Sequence, residues 1–199
     1  MEGSVQLGPR FHAAFHFAAE KHKTQTRKGK SVPYLAHLMS VAAIVLEFDG
    51  DEDCAIAALL HDVVEDCGGR PVLREIEKEF GPRVARMVEG CTDSFEEPKR
   101  PWETRKDEYL ERLRTEDPNT RFVSACDKLD NARSVLRDFR KDGDSIWQRF
   151  HGGRDGTLWY YRALANEFQK PPVSNIASEL NLVVNDLEQL THNSSGETK

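Results

Sequence analysis

At 199 residues, of which 38% are hydrophobic and 31% charged, the chain is long enough to bury the core of one domain and needs no metal merely to fold. Its formal net charge of −6, relieved by one short basic stretch, lacks the wide basic footprint of a duplex-binding protein, so no nucleic-acid partner is expected. No run approaches the roughly 20 apolar residues of a membrane span, and Met1-Glu2-Gly3-Ser4 has neither the charged nor the apolar part of a signal peptide, which excludes a membrane role and points to the cytoplasm.

Apolar periodicity predicts helices near 10–23, 33–48, 52–66, 72–79, 81–91, 102–115, 119–140, 144–150, 155–168 and 174–190, broken at Gly, Pro and charged clusters, with no convincing strand. The expected fold class is all-α, a single domain over 1–191 with a polar, disordered tail at 192–199. Between the first two helices Lys21, Lys23, Arg27, Lys28 and Lys30 cluster. They form either a solvated basic loop or the end to which an anion is drawn. Arg suits both phosphate and stacking on a base, so Arg27 with Lys28 is the pair to fix a nucleotide bearing a pyrophosphate. Pro33 suits the first turn of the second helix, which carries His37 among apolar neighbours, as an imidazole ligand or a hydrogen-bonded core histidine.

The third segment ends Ala57-Ala58-Leu59-Leu60-His61-Asp62-Val63-Val64-Glu65-Asp66. On a continuous helix His61 lies above Glu65 and Asp62 above Asp66, so one face carries three carboxylates and an imidazole. Gly68-Gly69 reads as the C-terminal stop, which puts these acids in the last turn, where the helix dipole disfavours each by roughly 0.3–1 kcal/mol. A solvated acidic helix end is one explanation; a bound divalent cation opposite the acids is the other.

Further along, the stretch 93–101 is a loop that borders the site, and Trp102 and Trp159-Tyr160-Tyr161 read as core aromatics before base platforms. Asp127 lies in a helical pattern with Asn131 one turn later, as a ligand or as a capping or salt-bridging residue. Cys54, Cys67, Cys91 and Cys126 are scattered without paired metal spacing and read as reduced and structural. Two His and two Asp with open positions make a nitrogen and oxygen site suited to manganese or magnesium, the imidazoles tipping it to manganese. Such an ion lowers the pKa of water and polarises a phosphoryl group, while Glu65 or Asp66, crowded by like charge, is suited to proton transfer. Absence of a nucleophile elbow, a Walker loop and a dinucleotide Gly fingerprint argues against ATP phosphoryl transfer and nicotinamide redox chemistry.

His61 follows His37 by 24 positions and Asp127 follows Asp62 by 65, and this set resembles the H…HD…D signature of HD-domain metal-dependent phosphohydrolases. The surrounding wording is more specific: Thr26-Arg27-Lys28, Pro33-Tyr34-Leu35-Ala36-His37, the 57–66 run, and Asp127-Lys128-Leu129-Asp130-Asn131-Ala132-Arg133. It is similar to the hydrolase domain of RelA/SpoT homologues, over residues 11–168, and the short length resembles the small alarmone hydrolases of the stringent response. The resemblance implies an HD-domain helical bundle in which His37, His61, Asp62 and Asp127 hold one metal, usually Mn2+. It also implies that Glu65 and Asp66 activate the attacking water, Asn131 sits beside the reacting phosphate, Arg27 and Lys28 approach the nucleotide, and Lys99 and Arg154 supply phosphate-binding cations. Asp130 stands where relatives usually carry His or Tyr, and Cys67 where Thr is common. The implied reaction is removal of the 3′-pyrophosphate of (p)ppGpp, and with no counterpart of a synthetase half in these residues, hydrolysis without synthesis. Alternatives are the same site acting on (p)ppApp-type alarmones or as an NADPH 2′-phosphatase, an inactive alarmone-binding sensor, and a structural interaction module. A small-molecule nucleotide is the expected partner, of a monomer or homodimer.

Overall fold

A computed structural model describes residues 5–95, 98–169 and 174–196, and every regular element among them is helical. In chain order these are α1 (Pro9–Lys21), α2 (Leu35–Glu47), α3 (Glu52–Leu60), α4 (Val63–Cys67), α5 (Gly69–Phe80), α6 (Pro82–Cys91), α7 (Trp102–Leu113), α8 (Pro118–Asp142), a 3₁₀ helix (Gly143–Arg149), α9 (Gly153–Phe168) and α10 (Ser174–Gly196). Local chemistry sets several of the starts. Pro occupies the first turn of α1, α6 and α8. Asp51 caps α3 by accepting the Cys54 N–H at 2.9 Å, and Asp117 caps α8 by accepting from Asn119 and Thr120.

Two helices organise the rest. From Cys54 to Leu60 every residue of α3 is buried, and a helix apolar on all sides has to sit inside; it packs against α1, α2, α6 and α8. The 25-residue α8 also lies against α2, α6, α9 and α10. Burial of Leu59, Leu60 and Leu129, each at most 1% exposed, contributes about 1.5–3 kcal/mol apiece. The stripe of α8 that buries Val123, Cys126 and Leu129 also buries Ser124 and Asp127.

The α1–α2 connection folds back on itself. The Arg27 N–H donates to the Val32 carbonyl and the Tyr34 N–H to the Gln25 carbonyl, both at 2.9 Å, around Gly29 with φ 71°. Glycine, without a Cβ, adopts that angle at no steric cost. Lys30 then reaches α8, donating to Asp138 at 2.6 Å, so the basic loop is tied to the helix that carries Asp127.

The helix expected over 52–66 is broken. α3 ends at Leu60, His61 and Asp62 form a turn, and α4 restarts at Val63. On an unbroken helix neighbouring side chains leave the axis about 100° apart. Asp62 adopts φ −99°, ψ −7°, the sparsely populated bridge region, and the turn brings the two side chains together. Gly68, with φ 147°, ends α4, but Gly69 already begins α5. At the other end α10 runs to Gly196, so 192–196 are helical where a disordered tail is expected; 197–199 lie outside the described residues. The four cysteines are free, and among the described residues no helix is long and apolar enough to cross a membrane.

Candidate metal centre

His37, on the first turn of α2, and His61, on the turn after α3, present their Nε2 atoms to the same point. His37 Nε2 lies 3.2 Å from Asp127 Oδ1 and 3.8 Å from Asp62 Oδ2; His61 Nε2 lies 3.4 Å and 3.0 Å from the same oxygens. Both Nε2 atoms are buried without a hydrogen-bond partner. Their Nδ1 atoms are engaged elsewhere, His61 on the Ala58 carbonyl at 2.8 Å and His37 on Asp130 Oδ2 at 2.6 Å. A carbonyl accepts only, so His61 Nδ1 carries a proton, and in the neutral ring the lone pair is on Nε2. Ligand atoms of His37, His61 and Asp127 all lie within 4.8 Å of one another. Ligands held about 2.0–2.2 Å from one ion have such mutual distances, and the donor set fits a divalent cation.

The electrostatics demand a positive charge here. Burial opposes a protonated His61, but Asp62 and Asp127 outweigh it and lift its pKa well above the ordinary value. Burial likewise works against ionised carboxylates, yet Lys128 and His61 hold Asp127 well below its usual range, and His61 lowers Asp62. Lys128 donates to Asp127 Oδ2 at 2.6 Å, and Asn131 Nδ2 donates to Oδ1 at 2.5 Å. Arg27 Nη2 donates to Asn131 Oδ1 at 2.7 Å, and the Tyr34 hydroxyl donates to Asp62 Oδ2 at 2.5 Å.

Glu65 and Asp66 follow on α4, but the four polar residues do not share one face. Glu65 accepts from Lys99 Nζ at 2.7 Å and from the Asp93 N–H at 3.0 Å, whereas Asp66 accepts from Gln25 Nε2 at 2.7 Å. Asp66 opens to solvent, yet the protein packed around it, and then the charge of Asp62, raise its carboxyl pKa. Lys99 therefore reaches the site through Glu65, and the 92–101 connection borders it as expected, 96–97 lying outside the described residues. Asp93 in turn pairs with Arg105 and, at 3.1 Å, with Lys106, whose pKa is pushed down to about 7 by burial and then by the charge of Lys128.

Beside the centre lies a cavity of about 200 Å³ whose polar wall includes Arg27, Lys28, Lys30 and Asn131 and whose apolar wall includes Phe150 and Tyr161. Arg154 is not among the residues lining that cavity, and its Nη2 donates to the Thr191 carbonyl of α10 at 3.0 Å. Trp102 packs edge-on against Trp159 and Tyr160 at 6.3 and 6.1 Å; Tyr160 is buried as expected of a core aromatic, Trp159 is 44% exposed and so is not one, and Tyr161 both packs and lines the cavity. Sequence reasoning missed Gln25, Tyr34, Lys128 and Asp130 as members of the site. The signal for Tyr34, Lys128 and Asp130 was their place one to three positions from a ligand; Gln25 offered none.

An all-helical chain that gathers two imidazoles and two carboxylates from separate helices and turns around one buried point is built as a metal-dependent hydrolase. It belongs to the HD domain family, whose model matches residues 14–158. Over 127 residues, 62% of this chain and 68% of the relative, it is 39% identical to guanosine-3′,5′-bis(diphosphate) 3′-pyrophosphohydrolase MESH1 of Mus musculus. It is 36% identical over 122 residues to the guanosine-3′,5′-bis(diphosphate) 3′-pyrophosphohydrolase of Aquifex aeolicus, of which it spans 17%. A solved metazoan orthologue of SpoT, described as hydrolysing ppGpp, superposes with TM-score 0.76 at 27% identity, over 92% of this chain and 98% of that one. A crystal structure from Listeria monocytogenes gives TM-score 0.68 at 29% identity over 77% and 99%.

Proposed function

We propose that the chain removes the 3′-pyrophosphate of guanosine tetraphosphate and pentaphosphate by metal-dependent hydrolysis, giving GDP or GTP and pyrophosphate. The observation that carries this is the convergence of two buried, unpartnered imidazole nitrogens on Asp62 and Asp127, with Glu65 and Asp66 on the next helix and a basic cavity alongside. The names of the MESH1 and Aquifex relatives support the choice of substrate.

In this reading His37, His61, Asp62 and Asp127 hold one Mn2+, the mixed imidazole and carboxylate set favouring it over magnesium. When bound, such an ion polarises the phosphoryl group and lowers the pKa of water. Glu65 and Asp66 orient the attacking water and take its proton, the raised pKa of Asp66 suiting it to that transfer. The water oxygen bonds to the phosphorus attached to the ribose 3′-oxygen; the P–O3′ bond breaks, and the 3′-oxygen leaves with the electron pair and picks up a proton. Asn131, fixed by Asp127 and Arg27, faces the reacting phosphate. Arg27 and Lys28 hold the anionic groups, and Lys99 reaches them from the Glu65 side. The four free cysteines support a cytoplasmic site for the reaction.

Product analysis with ppGpp, its adenosine counterpart and NADPH offered in parallel tests the assignment. GDP and pyrophosphate from ppGpp are expected to form fastest. Faster loss of the NADPH 2′-phosphate, or of pyrophosphate from the adenosine compound, reassigns the substrate, and tight binding without turnover makes the chain a sensor.

A further inference from the structure

The side chains around the metal point are held by unlike partners. His61 Nδ1 donates to a neutral carbonyl, that of Ala58, whereas His37 Nδ1 meets a carboxylate, Asp130 Oδ2 at 2.6 Å, whose other oxygen accepts from Ser40 Oγ at 2.5 Å. Asp130 and Asp127 stand three residues apart on one face of α8. That single helix therefore meets the His37 ring on both sides: Asp130 is bonded to Nδ1, and Asp127 Oδ1 stands 3.2 Å from Nε2 without hydrogen-bonding it. The His37 side chain is 1% exposed and Asp130 15%, so the pair is sheltered from competing water.

We propose that Asp130 is a positioning residue of the metal centre: held by Ser40, it fixes the Nδ1–H tautomer of His37, aims the Nε2 lone pair at the ion, and adds negative charge that strengthens that nitrogen as a donor. The proposal rests on the metal-centre reading above. An ionised carboxylate only accepts, so the proton of a neutral His37 is committed to Nδ1 and the buried, partnerless Nε2 is left for a cation. A carboxylate behind a ligating imidazole orients the ring and raises its basicity, and loss of such a partner typically weakens metal binding by about 10–100-fold.

The test is Mn2+ binding to the full chain without nucleotide, read from the electron paramagnetic resonance of free Mn2+, beside thermal melting of the metal-free proteins. Asp130→Ala is expected to raise the Mn2+ dissociation constant by about 10–100-fold. Asp130→Asn, whose amide oxygen still accepts the Nδ1–H but carries no charge, should fall between it and wild type, and Ser40→Ala should give a smaller rise. A folded Asp130→Ala whose dissociation constant stays within about twofold of wild type overturns the proposal, as does a wild type that binds no Mn2+. If Asp130→Ala does not fold, Asp130→Asn decides by the same criterion. Because no substrate is present, failure to hydrolyse ppGpp leaves this result standing and counts against the substrate assignment alone.

Discussion

The side-chain amide of Gln25 donates to Asp66 Oδ2 at 2.7 Å, while its own oxygen lies 2.6 Å from Nδ1 of the buried His22. The ring of His22 stacks on Tyr34 at 5.0 Å, and Tyr34 donates to Asp62. The connection between α1 and α2 thus holds a carboxylate of α4 on one side and a candidate metal ligand on the other. Gln25→Ala should lower kcat about tenfold, the loss of one charge-assisted hydrogen bond of about 1.4 kcal/mol, with KM little changed. Steady-state kinetics check this; an unchanged kcat removes Gln25 from the active arrangement.

Replacing either acid of α4 separates metal binding from chemistry. Glu65→Gln and Asp66→Asn are each expected to lower kcat by about 10²–10⁴-fold while Mn2+ still binds. Asp66→Asn should also raise the melting temperature of the metal-free protein at neutral pH. The folded pKa of Asp66 lies above its unfolded value, so its contribution to stability is full below the unfolded pKa and is lost as pH rises through the folded one. The gain from Asn should therefore fade on acidification. Melting curves across pH read this directly.

Asp51 carries the opposite sign. Burial raises its pKa, but the Cys54 N–H and Arg83 outweigh that and lower it overall. Asp51→Ala should cost about 1 kcal/mol, the usual loss of an N-cap, which is roughly 2–4 °C in a chain of this size. A depressed carboxylate stabilises above its unfolded pKa and loses that contribution as pH falls through the folded one. The difference between wild type and variant should therefore close in strong acid. A gap that persists there, followed by circular dichroism, contradicts the capping assignment.

The cations divide into those at the cavity and those elsewhere. Lys28→Ala should raise KM about tenfold, and more at low salt than at high salt. Arg27→Lys should not restore the wild-type value for ppGpp, because the planar fork that meets Asn131 is lost. Arg154→Ala should leave KM near wild type and lower stability, since its guanidinium bonds the Thr191 carbonyl. Initial-rate kinetics on the three variants are sufficient.

How far the sequence could be read follows from the range of each contact. His37, His61, Asp62 and Asp127 were legible because charged or imidazole groups in apolar surroundings are costly without a shared purpose; ligand atoms of His37, His61 and Asp127 lie within 4.8 Å of one another, and Asp62 Oδ2 lies 3.0 Å from His61 Nε2. The helix order was legible from periodicity. The break at His61-Asp62 was not, since no Gly or Pro marks it and the apolar run continues on both sides. Gln25 to Asp66, Tyr34 to Asp62 and His37 to Asp130 span 41, 28 and 93 residues, pairings that no local pattern encodes. Arg154 is similar: an arginine in the first turn of a helix carries no sign of which neighbour it faces, and its Nη2 meets the Thr191 carbonyl of α10.

The most direct test of the central claim is pyrophosphate release from ppGpp by Mn2+-loaded protein, with and without a chelator, wild type beside Asp62→Ala. Turnover that the chelator stops and that Asp62→Ala lacks is the predicted result. Wild type that binds stoichiometric Mn2+ yet leaves ppGpp intact contradicts the account.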